Sequence, residues 1–182
     1  MQLKFLKKTK YICLYLIVIL PLLSGSGYAA EAKNAFQKLP KLSLNDLNDK
    51  PRLLSDWQGK VILLNFWATW CGPCQTEIPS FIKLQKKYGD RGLQIIGVGL
   101  DEVRKLKNFM RTTGINYPIL QADPDQQYGL LNQWGDPFGV LPYSVVIDRS
   151  GKLVFMQMGI FSEETFDRII RPLLSNSKKQ KL

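Results

Sequence analysis

Unbroken apolar runs alternate along this chain with stretches in which apolar residues recur every three or four positions, a pattern that predicts strands and helices in turn. Lys60–Trp67, KVILLNFW, is apolar almost throughout, as a central strand covered on both faces should be. Leu93–Leu100 reads the same way. Between them, Pro73–Tyr88 carries Ile78, Phe81, Ile82 and Leu84 at helical spacing and meets Gly89 at its end. Glu102–Thr113 sets Val103, Leu106, Phe109 and Met110 on one helical face ahead of Gly114. A shorter helix is expected over Gln126–Trp134. Two hairpins are predicted, Lys41–Asp46 with Arg52–Leu54 around Asn48-Asp49, and Ser144–Asp148 with Lys152–Gln157 around Arg149-Ser150-Gly151. Ser162 can cap a last helix, with Glu163 and Glu164 in its first turn and Phe161 with Phe166 as a staple. Pro172 is expected to end or kink that helix. Strand–helix–strand–helix followed by a hairpin and a helix predicts an α/β fold on a mixed sheet.

The first 30 residues follow a different rule. Lys4, Lys7, Lys8 and Lys10 precede an apolar run, Tyr11–Leu23, and then the small residues around Gly27-Tyr28-Ala29-Ala30. A basic start, a short apolar middle and a small-residue site make a secretory signal, residues 1–29, with cleavage after Ala29. The alternative is an uncleaved membrane anchor, because residues 11–30 together reach the roughly 20 needed to span a bilayer. Either way the remaining residues are expected to be exported as one domain. Four of the 25 Lys and Arg lie in this segment, so the remainder sets 21 against 15 Asp and Glu, about +6. Lys178, Lys179 and Lys181 belong to a basic polar tail, residues 175–182. A solvated surface accounts for such a charge, with weak attraction to anionic lipid as a further option. No nucleic-acid partner is expected.

Cysteine and histidine narrow the chemistry. Cys13 lies in the signal, Cys71 and Cys74 are the only other cysteines, and the chain has no histidine. Export puts the pair where a disulfide persists. Cys71-Gly72-Pro73-Cys74 falls at the end of a strand and the start of a helix. There the unpaired N–H groups and positive end of the helix stabilise a thiolate, lowering a thiol pKa from about 8.5 toward 7 or below. Cys71 is therefore the expected nucleophile. Cys74, one turn in, resolves the mixed disulfide by attacking Cys71. Pro73 suits the first turn, where its missing N–H costs nothing. A zinc site needs about four ligands, which two cysteines and no histidine cannot supply. A purely structural bridge gains little from so short a loop, and a copper chaperone of this kind would be expected to use histidine.

Asn65-Phe66-Trp67-Ala68-Thr69-Trp70-Cys71-Gly72-Pro73-Cys74, with Glu77 and Pro79 following, resembles the TlpA/ResA-like exported thioredoxins of the thioredoxin superfamily. Gly139-Val140-Leu141-Pro142 ahead of a strand is a second match, and the resemblance covers residues 36–174. It implies a thioredoxin-like fold, a central mixed sheet flanked by helices, with an N-terminal hairpin and an insertion around Glu102–Thr113. Asn65 stands where thioredoxin has a buried aspartate. Glu77 is the expected substitute, on the same helical face as Cys74 and matching an acid in the family pattern. Partly buried, its pKa should rise so that it can exchange a proton with Cys74. Pro142 resembles the family's cis-proline. On that basis Leu141's backbone would pair with an extended substrate segment, and Trp70 would form the other lip.

The resemblance implies a redox-active Cys71–Cys74 disulfide, catalytic Cys71, Cys74 and Glu77, no cofactor and no metal. It implies a monomer that reduces disulfides in other exported proteins, apocytochrome c among the options, with a membrane thiol reductant as electron donor. Gly-Pro between the cysteines favours a potential nearer about −270 mV than about −120 mV. The alternatives are a thiol peroxidase of the peroxiredoxin group and a non-catalytic binding module on the same scaffold.

Overall fold

The computed structural model describes residues 39–175. The signal or anchor, the domain start at Phe36 and the tail beyond Ser175 lie outside the described residues. Seven strands form one sheet: β1 (Ser43–Asp46), β2 (Pro51–Leu53), β3 (Val61–Trp67), β4 (Leu93–Leu100), β5 (Ile119–Ala122), β6 (Tyr143–Ile147) and β7 (Leu153–Met158). Their order is β2-β1-β5-β4-β3-β6-β7. The helices are α1 (Gly72–Tyr88), α2 (Val103–Thr113), α3 (Gln127–Gln133) and α4 (Glu163–Ser175).

The unbroken apolar runs are the centre of this sheet. β4 and β3 lie parallel and every residue of both is buried. β3 divides its side chains between two faces. Val61, Leu63 and Trp67 enter one cluster with Ile78 and Phe81 of α1, Leu106 of α2, and Phe166 and Ile170 of α4. Ile62, Leu64 and Phe66 enter a second cluster with Leu131 of α3, Trp134, and Leu54 and Trp57. Helices thus cover both faces, as a parallel centre requires.

The hydrophobic pattern does not predict the strand β5. Its four residues, ILQA, lie between Pro118 and Asp123-Pro124, too short for a period. Pairing parallel to β4 and antiparallel to β1 makes it a strand. The insertion is therefore a crossover, β4–α2–β5. Gly97 and Gly99 of β4 make room for it: an added Cβ would lie 2.7 Å from Ile119 Cδ1 at Gly97 and 2.5 Å from Leu106 Cδ2 at Gly99. Val103 is 38% exposed rather than buried with Leu106. The last helix does not end at Pro172 but runs to Ser175. Buried Ile170 and Leu174 bracket the proline, so packing holds the final turn. Ser162 Oγ accepts from the Thr165 N–H at 3.1 Å, the expected cap.

Candidate active site

Where β3 ends, the chain turns into α1. The Cys71 N–H donates to the Ala68 carbonyl at 3.2 Å, closing a turn, and Cys71 is the N-cap of the helix. Its Sγ accepts from the Cys74 N–H at 3.3 Å, so the sulfur sits against one of the unpaired amides of the first turn. Cys71 and Cys74 are joined in a disulfide with S–S 2.04 Å. Cys71 keeps 5% of its surface in solvent and Cys74 none. Of the two, only the first sulfur's residue reaches the surface. Trp70 beside it is 63% exposed and stands outside both buried clusters.

One turn beyond Cys74, Glu77 is buried at 2% exposure. Its carboxylate is held from two sides: Asn65 Nδ2 donates to Oε1 at 2.7 Å, and the Phe161 N–H donates to Oε2 at 2.7 Å. Asn65 also donates to Ser144 Oγ at 3.1 Å, across the β3–β6 pair in which the two residues are direct partners. Burial raises the Glu77 carboxyl from 4.5 to about 7, against the opposing pull of the Phe161 and Asn65 donors. Tyr117 lies near enough for the Glu77 charge to add to burial in raising its phenol. Asn65 does not carry the acid; it orients the one that α1 supplies.

The Leu141–Pro142 peptide is cis, as the resemblance implied. β3 and β6 pair Phe66 with Tyr143, and continuing that register sets Pro142 opposite Trp67, at the end of the strand that leads to the dithiol. Leu141 packs against the cluster that contains both cysteines. Three hydrogen bonds fix this segment. Fully buried Asp136 accepts from the Phe138 N–H at 2.9 Å and the Val140 N–H at 2.6 Å. The Gly159 N–H donates to the Pro142 carbonyl at 2.8 Å.

Sequence reasoning singled out Cys71, Cys74, Glu77 and Pro142 but missed three groups that the structure sets against Asn65, Glu77 and the proline segment. Ser144 was visible as the one aliphatic hydroxyl in a buried run, YSVVI. Asp136 was visible only as an acid near an apolar stretch. The Phe161 amide has no sequence signal at all. Among the described residues, no three His, Cys, Asp or Glu side chains gather as metal ligands.

A mixed sheet with helices on both faces, a dithiol pair at the first turn of α1 and a cis-proline beside it define a thioredoxin-fold thiol–disulfide oxidoreductase. The chain belongs to the AhpC/TSA family, whose model matches residues 36–156, and within it to the ResA/TlpA-like proteins of the thioredoxin superfamily. It is 32% identical over 170 residues to the thiol-disulfide oxidoreductase ResA of Bacillus thuringiensis (strain Al Hakam), covering 88% of this chain and 95% of that one. ResA of Bacillus subtilis (strain 168) is 30% identical over 167 residues, covering 87% and 90%. Among solved structures, a thioredoxin-family thiol:disulfide interchange protein from Chlorobium tepidum TLS superposes with a TM-score of 0.65 at 35% identity, covering 75% of this chain and 94% of that one. A secreted thiol-disulfide isomerase from Corynebacterium glutamicum shares the fold, with a TM-score of 0.67 at 21% identity over 75% and 85% of the two chains. Thiol–disulfide exchange is the chemistry these relatives and this fold share with the protein.

Proposed function

We propose that this protein is exported and reduces disulfides in other exported proteins, with Cys71 attacking, Cys74 resolving and Glu77 handling the proton. The observation that carries the reading is the asymmetry of the pair, a helix-capping Cys71 that keeps a small exposure and a wholly buried Cys74 behind it. The Cys71 thiolate attacks one sulfur of a substrate disulfide, forming a mixed disulfide and releasing the other as a thiolate. Cys74 gives its proton to Glu77 and attacks Cys71. The second substrate thiolate leaves, and the enzyme keeps the Cys71–Cys74 disulfide. Two electrons have passed to the substrate, and a membrane thiol reductant returns them.

A carboxyl poised at about 7 suits this exchange, because it accepts and releases a proton near neutral pH. Leu141 and cis-Pro142 offer the backbone edge on which an extended substrate strand pairs, with Trp70 as the opposite lip. The basic, apolar and small-residue order of residues 1–30 supports export, either with cleavage after Ala29 or as an anchor. The reducing direction is supported by Gly-Pro between the cysteines, and oxidised apocytochrome c is one substrate this reading covers. The molecule acts as a monomer with no nucleic-acid partner.

The test is trapping. Cys74→Ser should accumulate mixed disulfides through Cys71 on a non-reducing gel, and Cys71→Ser almost none. Equal trapping by the two variants overturns the assignment.

A further inference from the structure

The turn that delivers Cys71 is held from outside, by a residue 30 positions further along the chain. β3 and β4 run parallel with Trp67 beside Gly99, and continuing the register brings Thr69 beside Asp101. Thr69 Oγ1 donates to Asp101 Oδ2. We propose that Asp101 is a positioning residue of the dithiol: from the end of β4 its carboxylate holds Thr69, and so sets Cys71 at the start of α1. This rests on Cys71 being the attacking sulfur.

Three observations support it. Asp101 is 3% exposed, and a carboxylate withdrawn from water that far is tolerated only with strong partners. Its two oxygens divide the work. Oδ1 accepts from the Glu102 N–H at 2.8 Å and faces Lys105 Nζ at 3.4 Å, both at the start of α2, while Oδ2 is given to Thr69. Burial pushes the carboxyl up, but Thr69, Glu102 and Lys105 outweigh it and hold Asp101 below the usual carboxylate value, so it stays charged.

Thr69 is also gripped from the other side, where Gln75 Nε2 of α1 donates to the Thr69 carbonyl at 2.7 Å. Two of Thr69's groups are therefore tied to two different elements, inside the turn closed by Ala68 and Cys71. Free the hydroxyl, and the turn can rotate about its remaining tie. The Cys71 sulfur then loses its fixed alignment with the Cys74 amide, on which thiolate stabilisation depends.

The experiment measures iodoacetamide alkylation of Cys71 against pH in the full-length chain, on a Cys74→Ser background. Thr69→Val keeps the side chain's shape and removes the donor. Its alkylation midpoint should rise by about one pH unit, which means about tenfold less thiolate at mildly acid pH. Thr69→Ser, which keeps the hydroxyl, should titrate like the parent. Asp101→Ala should shift the midpoint in the same sense, and the Thr69→Val/Asp101→Ala double variant no further, because the pair acts as one unit. A Thr69→Val midpoint equal to the parent's, even with a lower melting temperature, overturns the proposal, since the contact then serves stability alone. If Asp101→Ala does not fold, Thr69→Val against Thr69→Ser still decides. Failure of the underlying reading looks different: the parent itself would titrate as an ordinary thiol near about 8.5.

Discussion

Glu77 shows how a single buried residue links stability to pH. Its carboxyl lies at about 7 in the fold against an ordinary 4.5, so the folded chain binds a proton that the unfolded chain has lost. Stability from this group is present below about pH 4.5 and falls as pH rises toward 7, by about 3 kcal/mol in all. Urea unfolding at pH 5 and pH 8 should therefore show the wild type losing stability across that window. Glu77→Gln, which cannot titrate, should show a difference smaller by about that amount. The same variant should slow disulfide exchange about 100-fold and flatten its pH profile between 5 and 9. Wild-type rates at every pH would hand the proton to water. Glu77 was legible because a helix repeats every 3.6 residues and Cys74 fixes the phase. Thr69 with Asp101 was not legible, since only the pairing of β3 with β4 brings them together.

At the scale of elements, the packing of β4 against α2 depends on one missing side chain. Gly99 leaves the space that Leu106 fills, and Leu106 is fully buried with nowhere to retreat. Gly99→Ala should cost about 1–3 kcal/mol, the usual penalty for overpacking, read as a lower urea midpoint with an unchanged slope. If stability is unchanged, α2 packs more loosely than the contact distances imply. The long elements β3, β4, α1 and α2 were readable because their patterns run through seven or more residues. β5 was not, since four residues between two prolines carry no period and its strand character comes from its neighbours. Pro172 acted in the opposite way: local backbone preference predicted an end or a kink, and with Ile170 and Leu174 buried the helix runs on to Ser175.

Across the whole molecule, the N-terminal hairpin is a structural member and not a decoration. Leu47 enters one cluster, and Leu42, Leu54 and Trp57 the other, while β1 covers the open edge of β5. Burying four such side chains is worth roughly 6–12 kcal/mol, comparable to the whole stability of a domain. A chain beginning at Lys60 should fail to fold, read as loss of dispersed amide signals by NMR. A folded truncation would mean that β5 tolerates a bare edge. Three residues elsewhere join the two sides of the site. Gly159 donates its N–H to the carbonyl of cis-Pro142, and Phe161 donates its N–H to the buried Glu77 carboxylate. The stretch between them works as a ruler with one permitted length. Over evolutionary time, insertions and deletions should accumulate in the Arg149-Ser150-Gly151 turn and be purged from Gly159-Ile160-Phe161, so that natural variation in chain length maps the one connection this architecture cannot stretch.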